Sequence, residues 1–422
     1  MSELIALVGE TEIGRVHFQR GQLSFVYSDA WRSKRDSFPL SLSMPLTGAE
    51  HGNRIVTAYL SNLLPDNSDI LRSWRARFGV RSLSPFALLE HVGEECAGAA
   101  QYVRPDRVEA VLARRSPEPQ WLSEREIGAR LRELTVNRAA WRHENDLGQF
   151  SLSGAQPKTA LLRKGDRWGI PGGRVPTTHI FKPANEELPG HAENEHFCLT
   201  LAHRIGLPAA NSQVLEFDGA FAIVVTRFDR LAHGKEILRL HAEDFCQALG
   251  VPPEHKYEFE GGPGVATSAD LLANSSSEPI EDLRVFADAL IFNWLIAGTD
   301  AHAKNYSLLI SPERVRFAPL YDIASVLPYP TIDRQGLRLA MRVGRHYRLR
   351  VIQLRHWNEA AVQLKSDPEA VQARIAEFAA MLPDAASEVA RDLRQEGLRH
   401  PIIARLRDAI QQRVAAEVPP SA

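Results

Sequence analysis

Residues 282–298, DLRVFADALIFNWLIAG, are apolar almost all round the helical period. A helix with no continuous polar stripe has no face to give to water, so other elements must enclose it on every side. That demand alone implies a sizeable helical lobe. The stretch that follows, GTDAHAKNYS over 298–307, puts an acid, an imidazole, an amine and an amide within six residues. Gly298 is the expected helix stop. A buried helix ending this way delivers a polar loop anchored from beneath.

At 422 residues the chain exceeds what one core usually supports, so two or three subdomains are expected. A hydrophobic content of 44%, a charged content of 24% and a formal net charge of -2 lack the excess of one sign that marks nucleic-acid or membrane-surface binders. Cys96, Cys198 and Cys246 are odd in number and fall in no metal or redox spacing, which suggests reduced packing thiols in a cytosolic compartment. The opening MSELIALVGETEIG has no cationic lead, and no run approaches about 18 uninterrupted apolar residues. A cytoplasmic protein with no membrane partner is the expectation.

Alternating runs open the chain in GRVHFQRGQLSFVYS over 14–28 and give way to helical periodicity over 53–80 and 84–95. Residues 1–105 therefore read as a small N-terminal α+β subdomain. A charged, proline-bearing stretch leads to SEREIGARLRELTVNRAAW, a helix capped by Ser123, so 106–147 form a helical connector. Strands dominate 148–230, a β-rich lobe, whereas nearly every periodic segment of 231–422 is helical. The fold class is α+β. LANSSSE over 272–278 and the tail over 418–422 read as flexible.

In the β-rich lobe, GQFSLSGAQPKTALLRKGDRWGIP over 148–171 reads as strand, tight turn GAQP, strand, turn KGD, strand. The small Ser151, Ser153, Gly154 and Ala155 would let backbone N–H groups approach a bound group, so the turn could cradle phosphates with Lys158 nearby. The same letters also describe a surface hairpin with a polar tip. TTHIFKPA is a strand carrying Lys182 just before Pro183, and a lysine there can be merely solvated. ENEHFCLTLAHRIGLP is a helix with Phe197, Leu201 and Ile205 on one face, stopped by Gly206 and Pro208. Glu193 and Glu195 in its first turn complement the helix dipole or meet a cation. Two strands joined by the Asp218-Gly219 turn complete the lobe. This element order is that of a protein-kinase nucleotide lobe, in which a strand lysine grips phosphates.

Phosphoryl transfer needs an acid to orient or deprotonate the attacking hydroxyl and oxygen ligands to hold Mg²⁺. Asp300 and Asn305 suit these roles, and their D-x-x-x-x-N spacing matches a kinase catalytic loop. YSLLI, the turn SPER and VRFAPL read as a hairpin that brings the chain back to Tyr321-Asp322, where Asp322 would serve the same metal. Lys304 could neutralise phosphate charge. His302 reads as a structural hydrogen-bonder, because no second His or Cys stands at zinc-ligand spacing.

PLSLSMPL, LSNLLPD, SLSGAQPKTALL, TTHIFKP, VVTRFDR, EDFCQALG with KYEFEGGPG, GTDAHAKN and LYDIAS run in one order along the chain. In this the sequence resembles the HipA family, serine/threonine kinases that are toxins of bacterial toxin-antitoxin pairs. The resemblance implies a two-lobe protein-kinase-like fold with ATP as donor and a protein hydroxyl as acceptor. An aminoacyl-tRNA synthetase such as the glutamyl enzyme is a family precedent for that acceptor. A HipB-like helix-turn-helix antitoxin is implied as partner, with operator DNA reached mainly through it. By position, Asp300 is the catalytic acid/base, with Asn305 and Asp322 the Mg²⁺ ligands. Ser153, Gly154, Ala155, Gln156 and Lys158 would cover the phosphates, and Lys182 would touch them. Thr226, Arg227 and Phe228 would form the adenine-facing hinge, and His302, Lys304 and Tyr321 would complete the ATP set. Ser151 falls where members autophosphorylate. A dianion beside the phosphate turn should repel ATP, so the modification is an off-switch with a physical reason.

The chain departs from the family pattern at three places. Ser153 stands where an alanine is familiar, making it a second candidate phosphosite, and Pro157 removes a backbone donor. Thr226 stands where the best-known member has a glutamate. The single Gly154 falls short of the G-x-G-x-x-G of ordinary protein kinases. Two other readings use the same residues: a small-molecule or lipid kinase, and a non-catalytic nucleotide-sensing co-repressor.

Overall fold

Where the sequence alternates over 14–28, the computed structural model has two antiparallel strands, Thr11–Gln19 and Gln22–Tyr27, at the heart of a five-stranded sheet. Glu50–His51 flanks them on one side, Ser2–Val8 and then Ala100–Val103 on the other. The two-residue period puts Leu4, Ala6, Val16, Phe25 and Tyr27 in the core. Tyr59 and Leu60 of helix Asn53–Asn62, with Leu88 and Leu89 of helix Pro85–Val92, pack into the same cluster. The described residues are 2–113, 118–140, 151–172, 174–185, 187–234 and 236–418. The end of the expected connector, the first residues of the strand expected from 148, and nearly all of the tail lie outside them.

Contacts divide the chain into two units, the first comprising Met1–Pro183, Glu216–Glu254 and Ser307–Val315. It holds the sheet above and a second one, in which Ala220–Thr226, His179–Pro183, Thr159–Lys164, Arg167–Ile170 and Gln120–Leu122 are neighbours in that order. Helix Glu124–Val136 starts on the expected Ser123, with Glu126 closing a reciprocal capping box. It packs so near the chain at Gly128 that a Cβ there would lie 2.3 Å from the Phe217 carbonyl. The KGD turn and the Asp218-Gly219 turn form as read, with Gly165, Asp218 and Gly219 at positive φ. The PLSLSMPL segment is clasped by residues 241–247. Glu243 Oε1 accepts the Leu42 N–H at 2.8 Å, His241 Nε2 lies 2.8 Å from the Leu40 carbonyl, and Ser41 and Ser43 donate to the Gln247 carbonyl.

Of the strand expected from 148, the described residues 151–153 are a loop, because Ser151 spends its N–H on the Glu95 carbonyl at 2.8 Å and its Oγ on the Leu63 carbonyl at 2.7 Å, not on a ladder.

The second unit comprises Ala184–Leu215, His255–Tyr306 and Arg316–Ala422. Its central helix, Pro279–Ile296, is buried from Val285 through Ile296, and Val265–Ser275, Pro368–Gln395 and Ile402–Glu417 pack on it. Its two buried acids are neutralised by arginines, Asp282 by Arg316 at 3.0 Å and Asp288 by Arg374 at 2.9 Å. The helix stops one residue earlier than read. Ala297 takes the left-handed conformation at φ 53, while the Gly298 N–H caps the Asn293 carbonyl at 2.7 Å. Glycine is needed at 298 for another reason: a Cβ there would come within 2.2 Å of Asn293 Oδ1. The LANSSSE segment is also more ordered than read. Its first four residues finish helix Val265–Ser275, and Ser276 Oγ is bonded to Asp282.

Candidate active site

The loop delivered by the central helix closes on itself. Asn305, 8% exposed, donates from Nδ2 to the Asp300 carbonyl at 2.7 Å. The N–H groups of His302 and Asn305 donate to the carbonyls of Asp300 and His302, each at 2.8 Å. The five-residue spacing thus has a local cause: the amide ties down the backbone that carries the acid. The acid itself points outward, its side chain 69% exposed. Tyr257 donates its phenol O–H to Asp300 Oδ1, and its ring meets His302 edge-on at 4.9 Å. His302 is buried, and its Nε2 stays 4.0 Å from Asp300 Oδ1, beyond hydrogen-bond reach.

Asp322 is held from both sides. Ahead of it, Leu320 exchanges backbone hydrogen bonds with Pro208 and Ala210 at 2.8 and 2.7 Å, and Tyr321 Oη donates to the Lys304 carbonyl at 2.7 Å. After it, Ser325 is gripped by the Asn194 amide through both N–H and carbonyl, at 3.0 and 2.7 Å, and its Oγ donates to the Ile296 carbonyl. Between these ties Asp322 sits at φ 59, a conformation an aspartate keeps only when its surroundings impose it. With its Nδ2 committed to Asp300, Asn305 has its carbonyl oxygen for a cation, and Asp322 offers a carboxylate. An amide and a carboxylate oxygen are hard donors that suit Mg²⁺. No three His, Cys, Asp or Glu side chains gather into a metal site among the described residues. A cation would therefore draw its remaining ligands from phosphate and water.

Of the residues expected to hold the nucleotide, Ser153 to Lys158, Lys182 and Thr226 to Phe228 lie in the first unit, and His302, Lys304 and Tyr321 in the second. Ser151 and Leu152 are buried, Ser153, Gly154 and Gln156 are half-buried, and Ala155 at the tip is exposed. Gly154 has φ 103, which only glycine adopts without strain. Its carbonyl accepts the Asp66 N–H, so LSNLLPD steadies this turn. Lys158 is buried and donates from Nζ to the Ser153 carbonyl at 2.6 Å. Lys182 is 7% exposed and pairs in register with Ile223.

Within the expected hinge, the Arg227 side chain is tied into the surrounding chain. All five guanidinium donors are used: Nε and Nη2 on Asp229, Nη1 on Glu95 and Thr177, and Nη2 again on the Cys96 carbonyl. Its backbone N–H goes to the Thr178 carbonyl at 3.0 Å. The Arg227 side chain is thus committed to the scaffold, and Thr226 and Phe228 are the half-buried members of the expected hinge. Arg230 and Arg239 also pair with Glu95. Burial would raise the Asp229 carboxyl, but Arg227 and Arg230 hold it well below the usual range, while burial pushes Arg230 and Arg239 each down to about 9.

Three positioning residues escaped the sequence reading: Tyr257, Asn194 and Ser325. Asn194 had left a signal, because it shares a helical face with Cys198 and Leu201, where a buried amide must find partners. Tyr257 gave none, since its reach to Asp300 spans 43 residues.

Comparison with known proteins fits this arrangement. Residues 150–386 match the HipA-like C-terminal domain and residues 4–103 the HipA N-terminal domain. The chain belongs to the HipA family. A putative kinase of Sinorhizobium fredii is 34% identical over 376 residues, covering 89% of this chain and 88% of that protein. The serine/threonine-protein kinase toxin HipA of Shewanella oneidensis is 29% identical over 361 residues, 80% of this chain and 77% of that one. A solved Shewanella oneidensis structure, of HipA with HipB and its operator DNA, superposes with a TM-score of 0.84 at 26% identity, covering 98% of this chain and 97% of that one. This HipA-family chain is a kinase with the α+β, protein-kinase-like fold of its relatives. No described helix is long and apolar enough to cross a membrane.

Proposed function

We propose that the protein transfers the γ-phosphate of ATP to a serine or threonine hydroxyl of another protein, with Asp300 accepting the hydroxyl proton. The observation that carries this reading is the outward Asp300 carboxylate on a loop fixed by Asn305 and Tyr257. Such a carboxylate can orient an incoming hydroxyl without itself being reorganised. Asn305 and Asp322 would hold Mg²⁺, which when bound supplies charge neutralisation on the phosphates. Lys158, Lys182 and Lys304 add fixed positive charge, and the Gly154 turn offers backbone N–H groups.

The finer assignments are part of the same reading. The acceptor is a cytoplasmic protein, with an aminoacyl-tRNA synthetase such as the glutamyl enzyme the first to try. The partner is a HipB-like helix-turn-helix antitoxin through which operator DNA is reached, as the solved relative's HipB and operator DNA suggest. Self-phosphorylation falls on Ser151, with Ser153 the alternative. Ser151 is 0% exposed, so the loop must leave its seat for the hydroxyl to react, and a phosphate dianion could not be reburied there.

The test is phosphate transfer from labelled ATP by the wild type, Asp300→Asn and Asp322→Asn. Each substitution is expected to lower transfer by about 10²- to 10⁴-fold while the melting temperature holds. Transfer persisting in both ends this mechanism.

A further inference from the structure

We propose that an arginine hairpin and a row of aromatic side chains in the second unit form the docking surface for an acidic segment of the acceptor protein; this rests on the kinase reading above. Residues 334–355 contain seven arginines and no aspartate or glutamate, in a chain whose formal net charge is -2. Whole-chain charge conceals this concentration. The stretch folds around the hairpin of Arg338–Val343 and His346–Arg348, in which Arg338 and Arg348 face each other across the strands. Like charges directly opposed cost stability, so the fold gives no reason for the pair. Arg342 is neutralised by Glu258 at 2.8 Å and Arg345 by Glu359 at 3.4 Å. Arg338, Arg348 and Arg350 are exposed and form no ion pair among the described residues.

The hairpin is joined to the acid by a run of rings within the same unit. Tyr347 meets Phe259 edge-on at 6.0 Å, Phe259 stacks on Tyr257 at 5.0 Å, and Tyr257 donates to Asp300. Phe259 is 45% exposed, a large apolar side chain left in water at the middle of the row. The near end carries the Asp300 carboxylate, with Lys256 Nζ 5.5 Å from the Tyr257 ring centroid, and the far end the uncompensated arginines. A nucleic acid following the row would drive a phosphate against the exposed Asp300 carboxylate. A protein segment can be acidic at one end and bring a neutral hydroxyl to the other, so the charge pattern favours a polypeptide whose acidic residues stand some way along the chain from the phosphorylated residue.

The test is initial-rate kinetics on synthetic peptides, each with one serine and a glutamate triplet at increasing spacing on either side, against matched lysine peptides. At one spacing the glutamate peptide should be preferred about tenfold in kcat/KM, the size expected of two exposed ion pairs, with the difference in KM and not kcat. Arg338→Glu/Arg348→Glu should reverse the preference, and the milder Arg338→Gln/Arg348→Gln should abolish it. Phe259→Ala should raise KM for every peptide. Equal wild-type rates at all spacings, or a preference that survives the glutamine pair, overturns the proposal. So does loss of fluorescent duplex-DNA binding in these variants with the peptide preference intact, which would give the surface to nucleic acid. Self-phosphorylation without turnover of any peptide overturns the docking surface and spares the kinase reading. Absence of all transfer removes both.

Discussion

Glu243 lies on strand His241–Asp244 at 1% exposure, with Oε1 taking the Leu42 N–H at 2.8 Å. Burial is the main reason its carboxyl is pushed up from 4.5 to about 8; the Leu42 N–H and the Ser41 hydroxyl oppose the shift and Asp244 adds to it. The folded protein therefore holds this carboxyl protonated at neutral pH, where the unfolded chain would ionise it. A folded pKa above the unfolded one gives stability that is complete below about 4.5 and is lost as pH rises through about 8. At about 1.4 kcal/mol per unit the full loss is about 5 kcal/mol, of which about 2 kcal/mol falls between pH 6.5 and 8. That upper window is the one to use. Burial pushes the neighbouring His241 down to about 4, so its depressed pKa withdraws stability only below about pH 6.5. Glu243→Gln keeps the acceptor for Leu42 and cannot ionise. Its amide donors add a cost of about 1–3 kcal/mol that does not vary with pH. In urea melts from pH 6.5 to 9, the wild type should lose about 2 kcal/mol relative to the variant by pH 8 and little more beyond. Parallel pH profiles for the two proteins would refute the buried protonated carboxyl.

Tyr257→Phe removes the donor that fixes Asp300 and should lower kcat about tenfold while leaving the KM for ATP and the melting temperature unchanged; an unchanged kcat would make Tyr257 a packing residue only. Arg227→Lys replaces five planar donors by three and leaves buried carboxylates short of partners, so urea unfolding should show a loss of about 3 kcal/mol. Full stability with weakened ATP binding would return that side chain to the nucleotide. Ser151→Ala gives up one buried hydrogen bond, about 1 kcal/mol, and should remove most self-phosphorylation by mass spectrometry; an unchanged phosphosite map moves the switch to Ser153.

Features set by neighbours in the chain were legible in the sequence. The apolar helix before the polar loop, the Ser123 cap and the Asp218-Gly219 turn each depend on residues within a few positions of one another. Periodicity reports burial, and short spacings report local hydrogen bonds. Neither says where a buried polar group finds its partner. Arg227 reads as a hinge residue, and nothing in the sequence shows that Glu95, Cys96 and Thr177 converge on it from distant segments. Residues 151–153 carry a strand-like alternation, yet the backbone partner of Ser151 is Glu95, and that contact decided against a ladder.

Ties both local and long-range hold the acid-bearing loop. Asp300 is exposed and Asp322 sits in an unfavourable backbone conformation, so neither position is one the local chain would hold unaided. Their geometry is imposed by neighbouring side chains: Asn194 and Ser325 behind Asp322, Tyr321 between the two segments, and Asn305 with Tyr257 around Asp300. Each tie spends a buried or half-buried polar group that would cost stability if its partner moved, so a shift at one carboxylate strains several hydrogen bonds at once. It follows that substitutions at Asn194 or Ser325, remote from the outward carboxylate, should be felt as lost turnover before they are felt as lost nucleotide affinity.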